Sequence, residues 1–191
     1  MSGPRVREMA LADCDRVAEI RVHGWHTAYR DLMPRSFLDA LSVERDAELR
    51  RALLAREDSR TVDLVAVGAP PGEPGQPGQP GQPGGDGEVL GRACHGPHRD
   101  GEVATDDAEL YALYVDPRWH GHGIGHGLPA ESVRRCAAAG HPRMSLWVVE
   151  GNTRARRFYE RAGFRADGAV VSSEVDGVAV PEVRYVRGLS G

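Results

Sequence analysis

The chain has 191 residues, 40% of them hydrophobic, with 24 basic residues against 28 acidic ones and a net charge of −4. That length is enough for one domain with a real core, and the acidic balance argues against a nucleic-acid partner, which calls for a basic excess. All 24 basic residues are arginine, so lysine Schiff-base chemistry is excluded. Cys14, Cys94 and Cys136 are odd in number, widely spaced and without a CxxC pair, the pattern of reduced thiols in a cytosolic protein. The N-terminus lacks an apolar leader core, and no apolar run approaches the roughly 20 residues that cross a bilayer. A cytoplasmic protein with no membrane partner is expected.

Residues 6–9 read as a short strand, and a helix follows with Asp13 as its cap and Val17 and Ile20 on one face. Residues 34–42 open on a proline suited to a helix start, and 43–58 carry the acid-then-base pattern of an exposed helix. Residues 61–68 alternate as a strand. From Gly72 to Gly87 a glycine recurs at every third position with prolines between. A collagen-like triple helix needs three chains that nothing here supplies, so 69–87 reads as a solvated, disordered loop inserted between two paired strands. The second of those strands is 88–96. Strand 108–116, helix 124–140, strand 143–150 and helix 152–164 come next. The final stretch, 168–189, reads as a hairpin turning at Asp176 and Gly177. The order predicts one α+β domain over 1–191, built on a single mixed sheet.

The stretch "YVDPRWHGHGIGHGL", 114–128, carries the chemistry. Its glycines follow a strong strand and open a helix. A helix start offers unpaired N–H groups and partial positive charge, and glycines let backbone approach a ligand closely, which together make a cradle for phosphate oxygens. The spacing fits neither GxGxxG nor a P-loop. His95, His98, His120, His122 and His126 raise a metal reading, but no HExxH or cysteine pair accompanies them, so no metal is expected.

The segment "LYVDPRWHGHGIGHGL" resembles motif A of the GCN5-related N-acetyltransferases, the GNAT superfamily, and "LWVVEGNTRARRFYERAGF" resembles that family's fifth strand and following helix. The resemblance extends over 6–67 and 88–189. It implies a mostly antiparallel central sheet splayed between strands 4 and 5 and flanked by helices in three layers, α/β/α. It implies acetyl-CoA as co-substrate, with its pyrophosphate on His120, Gly121, His122, Gly123, Ile124 and Gly125 and its pantetheine arm along Leu113, Tyr114, Val115 and Asn152. Tyr159 falls where members have a tyrosine near the thioester sulfur, although an aromatic at that helix position can also be core. Glu109 falls on the strand that often supplies a general base, and reads equally as an exposed strand-end acid. Trp25 and Tyr29 either line the acceptor pocket or pack the first helices. Two departures stand out. His120 replaces the usual Arg or Gln, and Pro129 removes a helical N–H, which predicts a kink or a late helix start.

The implied activity is acetyl transfer to a primary amine, in a small molecule or a peptide, by direct attack in a ternary complex. An acyl-CoA-binding module of weak or no activity is the alternative, and a partner-binding role for the glycine–proline repeat is a third. Exposed edges in the final strands invite pairing with a second copy.

Overall fold

The computed structural model describes residues 4–68, 87–99, 105–121 and 124–189. In chain order the elements are β1 (Arg5–Glu8), α1 (Cys14–Ala28), α2 (Arg35–Asp39), α3 (Val43–Leu54), β2 (Val62–Gly68) and β3 (Glu88–Pro97). There follow β4 (Ala108–Val115), α4 (Ile124–Ala138), β5 (Arg143–Val149), α5 (Thr153–Arg161), β6 (Arg165–Val175) and β7 (Val178–Gly188). The glycine–proline repeat and its two proposed readings lie outside the described residues. No described helix is long and apolar enough to cross a membrane.

The strands form one sheet in the order β1-β2-β3-β4-β5-β7-β6. Every neighbouring pair is antiparallel except β4 with β5. Alternation in the strands separates two cores. On one face Val17 and Ile20 of α1 pack on Val65, Val67 and Val89. On the other, Ile124, Leu128 and Cys136 of α4 meet Leu64, Ala66, Leu110, Leu146 and Phe164, with Ala155 and Tyr159 of α5 against them. The three layers expected from the sequence are present.

Local chemistry explains most boundaries. Ser42 caps α3 by accepting the Arg45 N–H at 3.2 Å, and Glu44 and Asp46 occupy its first turn, where the dipole favours acids. Asp176 and Gly177 turn between β6 and β7 with positive φ at both positions, as a two-residue hairpin requires. Gly68 pairs with Glu88, so the ends of β2 and β3 lie side by side.

Two expectations need correction. Asp13 does not cap α1 with its side chain: its buried carboxylate pairs with Arg7 at 2.7 Å and accepts the Ala10 N–H at 2.7 Å, tying β1 to the turn instead. The last hairpin starts at Arg165 rather than at Gly168, because Gly168, at φ +91, sits in a bulge inside β6 rather than at its start. Of the two outcomes expected of Pro129, a late start is not the one seen: α4 runs from Ile124, as the sequence reading placed it, through the buried Pro129 to Ala138.

Tyr185 fastens α5 to the sheet. It is 1% exposed, donates to Glu160 at 2.9 Å and accepts from Arg156 at 3.1 Å. Tyr185→Phe removes both bonds while keeping the ring. It is expected to destabilise the fold by about 1 kcal/mol, read as a fall of roughly 2–4 °C in Tm by calorimetry.

Candidate active site

The site begins where β4 leaves β5. The two strands pair only at Ala108–Met144 and Glu109–Ser145, so from Leu110 onward the β4 edge that faces β5 has no strand partner among the described residues. The closed end is fastened by a hydrogen bond of 2.9 Å between His98 Nδ1 and Ser145 Oγ and by the Arg143–Asp107 pair at 2.6 Å. A bulge at Tyr111, between the pairs Cys94–Ala112 and His95–Leu110, turns the open half of β4 away.

A cavity of about 470 Å³ fills the gap. It crosses the sheet. Gly24, Ala28 and Tyr29 of the α1 end line one side, Gly125, His126, Phe158 and Tyr159 of α4 and α5 line the other, and Leu113, Tyr114, Val115 and Trp147 lie between. An extended amide chain can pair with the open edge of β4 as an added strand.

The far mouth is built for anions. Gly121 has φ +86, a conformation that side chains resist, and the space where a Cβ would stand is open. The N-terminal turn of α4 follows at Ile124, with partial positive charge at its N–H groups. Arg154 and Arg161, seven residues apart on one face of α5, line the same cavity. Burial, together with the charge of Arg154, holds His120 below the usual histidine range, and its ring hydrogen-bonds the Val115 backbone. The imidazole is therefore neutral, and the positive charge beside it is that of Arg154. Pro129 cannot bond to the carbonyl of Gly125, which leaves that carbonyl, at the cavity wall, without its helical partner.

Asp116 anchors this mouth. Its carboxylate caps the turn Pro117–Trp119 by accepting the Arg118 N–H at 2.9 Å, and it binds the Arg118 guanidinium at 2.7 Å and Arg16 of α1. Arg16 also reaches Glu88 at 2.9 Å, so α1, β3 and the start of the glycine loop are joined through one buried acid. Burial pushes the Asp116 carboxyl up, but the hydrogen bonds from Arg118 and Arg16 outweigh it and hold the group at about 2.

Aromatic hydroxyls meet at the centre. Burial drives the Tyr159 phenol well above the ordinary tyrosine range, so it keeps its proton. Burial and the neighbouring Tyr114, against a hydrogen bond from Asn152, push Tyr29 up to about 12. Asn152 also caps α5 by accepting the Ala155 N–H at 3.1 Å. Phe158 and Phe164 flank the Tyr159 ring edge-on at 5.3 and 6.0 Å.

Of the residues singled out from the sequence, Leu113, Tyr114, Val115, His120, Gly121, Gly125, Asn152, Tyr159 and Tyr29 line the cavity. His122 and Gly123 lie outside the described residues. The Ile124 side chain is core, 3% exposed, which leaves only its backbone for a ligand. Trp25 does not line the cavity; it supports Tyr29 from behind at 4.7 Å between ring centroids and packs on Phe37. Glu109 is not an exposed acid. It is 5% exposed, accepts the Arg99 N–H at 3.0 Å and pairs with the Arg99 guanidinium at 3.2 Å, below the cavity at the closed end of the splay. Arg154, Arg161, Trp119 and Trp147 went unremarked in the sequence. The seven-residue spacing of the two arginines was the available signal.

Among the described residues no group of three or more His, Cys, Asp or Glu is placed to hold a metal. The family described as "Acetyltransferase (GNAT) family" matches residues 84–164. An uncharacterized N-acetyltransferase of Bacillus subtilis, YuaI, is 28% identical over 147 residues, which cover 77% of this chain and 72% of that one. A mycothiol acetyltransferase of Nocardiopsis dassonvillei is 40% identical over 70 residues, but these cover only 35% of this chain and 21% of that one. In structure, the PaiA N-acetyltransferase of Thermoplasma acidophilum in complex with coenzyme A matches with a TM-score of 0.67 at 16% identity, covering 98% of this chain and 99% of that one. Over residues 84–164 the chain is thus similar to the acetyltransferases of the GNAT family, and it shares the fold of the PaiA neighbour from β1 to β7.

Asp116 gives a test of the loop anchor. Its depressed value means that its contribution to stability is present above the unfolded value of 3.8 and is lost as pH falls toward about 2. Asp116→Asn is expected to flatten the stability–pH curve across that window in acid titrations followed by circular dichroism. The same variant should weaken acetyl-CoA binding at neutral pH by about tenfold in calorimetric titration.

Proposed function

We propose that the chain transfers the acetyl group of acetyl-CoA to a primary amine, by direct attack in a ternary complex. The observation that carries this reading is the cavity that crosses the sheet at the β4–β5 gap, with an anion-binding mouth on one face and an aromatic mouth on the other. When bound, the thioester supplies an activated acyl carbon. His120, Gly121, Gly125 and Arg154 hold the diphosphate, with the undescribed His122 and Gly123 between them, and the first backbone N–H groups of α4, at Ile124, add donors. The open edge of β4 at Leu113 and Val115 pairs with the pantetheine amides and aims an N–H at the acyl oxygen, where negative charge develops. Asn152 holds Tyr29 against the acceptor side.

Tyr159 faces the departing sulfur. Its phenol is a weaker acid than an ordinary thiol, whose pKa is about 8.5, so outright proton transfer to the thiolate is uphill. Tyr159 therefore stabilises the sulfur by donating a hydrogen bond while keeping its proton. The attacking amine must be neutral, although free alkylamines have pKa values of about 10. Glu109 takes its proton through water, because the carboxylate lies below the cavity, on the same face as Trp147 and Ser145.

The described elements share one sheet, which supports reading the chain as one N-acetyltransferase domain interrupted at 69–87. A module that binds acyl-CoA without turnover remains the competing reading because of His120 and Pro129. The cation at Arg154 and the uninterrupted α4 favour the active enzyme. The acceptor is a small-molecule or peptide amine, and the outer edge of β6 is open to a second copy.

Tyr159→Phe is expected to lower kcat by on the order of ten- to a hundredfold in a thiol-release assay, while the acetyl-CoA dissociation constant stays unchanged. Glu109→Gln should slow turnover near neutral pH and recover as pH rises and the amine deprotonates by itself. Acetyl-CoA binding without amine-dependent thiol release in the unaltered protein would leave only the binding module.

A further inference from the structure

One carboxylate on the acceptor side has no counter-ion among the described residues. Glu182 lies on β7, opposite Val149 of β5 and Val171 of β6. Its strand neighbours Val183 and Tyr185 point into the core beneath α4 and α5, so Glu182 and Arg184 point to the other face, toward α1 and α2. There Glu182 sits between the buried Val149 and the half-open Val171, close enough to Tyr29 for its charge to act on the phenol.

The cations of this face are engaged elsewhere. The Arg184 guanidinium binds Asp167 at 2.8 Å and stacks over Trp147, 5.6 Å from the ring centre. The Arg21 guanidinium lies over Trp25 and pairs with Asp46 at 3.2 Å. Among the described residues no arginine or histidine forms an ion pair with Glu182. Its polar partner is the Ser173 hydroxyl, and burial pushes its carboxyl up. A half-buried carboxylate without a cation costs folding free energy, which makes it a candidate for binding a charge from outside.

Its position says which charge. Tyr29 lines the cavity and Glu182 does not, so Glu182 stands behind the Tyr29 side of the cavity, close enough for its charge to act on the phenol. The nitrogen that attacks near Tyr159 must be neutral, whereas a group held by Glu182 must stay positive. The geometry points to Glu182 as the specificity residue for a second cationic nitrogen on the acceptor, so that the chain takes diamine-like amines in preference to monoamines. This rests on the acetyl-transfer reading above and narrows it to a substrate class.

The test compares cadaverine with pentylamine, a diamine and a monoamine of equal chain length, in the protein and in Glu182→Gln. Wild type is expected to show a KM for cadaverine about fivefold lower than for pentylamine, the upper end for one partly exposed ion pair. Glu182→Gln should raise the cadaverine KM to the pentylamine level and leave kcat for both amines unchanged. A structural role would instead alter both amines alike. Cadaverine is also titrated directly into the CoA-saturated protein, where binding by wild type and loss of it in Glu182→Gln are expected. Equal KM values in wild type, or a diamine preference that survives Glu182→Gln, would overturn the inference and leave acetyl transfer standing. Cadaverine binding at Glu182 without thiol release from any amine would sink acetyl transfer and keep the cation site. Absence of both would sink both.

Discussion

Everything distinctive about this chain follows from two strands that stop pairing. β4 and β5 are joined over two residue pairs and then part. A parallel pair normally continues, because each broken rung strands backbone groups. Here the bulge at Tyr111 turns β4, and the hydrogen bond between His98 and Ser145 holds the strands together below it. The opening leaves a row of backbone donors and acceptors facing a gap that passes through the sheet. A protein with an unbroken sheet would have two separate faces. This one has a passage between them, and α4, α5 and α1 each bring side chains to it.

The two mouths differ in character because different layers build them. The α4–α5 side offers a helix start, a glycine with positive φ and two arginines, all suited to negative charge. The α1–α2 side offers tyrosines and an acid that has no ion-pair partner among the described residues. The Asp116 cluster ties the layers together, since Arg16 from the first helix and Arg118 from the loop share one carboxylate. A disturbance at the α1 end can therefore reach the α4–α5 side through a short chain of ion pairs.

The sequence was legible where local pattern decides structure. The capped helix after Asn152 and the Asp176–Gly177 turn depend on residues close together in the chain, and they form as expected. What failed depended on contacts between distant residues. Asp13 looked like a cap, but Arg7 and the Ala10 N–H hold its carboxylate. Gly168 looked like a strand start, but the register of β7 makes it a bulge. Glu109 looked exposed at the end of a strand, because nothing local announces that Arg99 and β5 cover it. Trp25 and Tyr29 are four residues apart in sequence and still divide, one supporting and one lining the cavity. Glu182 could not have been singled out at all, since its isolation is a property of three strands and a helix together.

The pairing of Gly68 with Glu88 carries a different kind of consequence. The chain ends on either side of the glycine–proline repeat are already neighbours, held by the β2–β3 ladder. For a connection between two such fixed points, the entropy of closure grows only with the logarithm of its length, about 0.6 kcal/mol for each doubling. Adding or losing one glycine–proline triplet therefore changes stability by far less than a single core methyl group. The length of this connection is close to invisible to the folding free energy, while the two strands it joins are held by their own ladder.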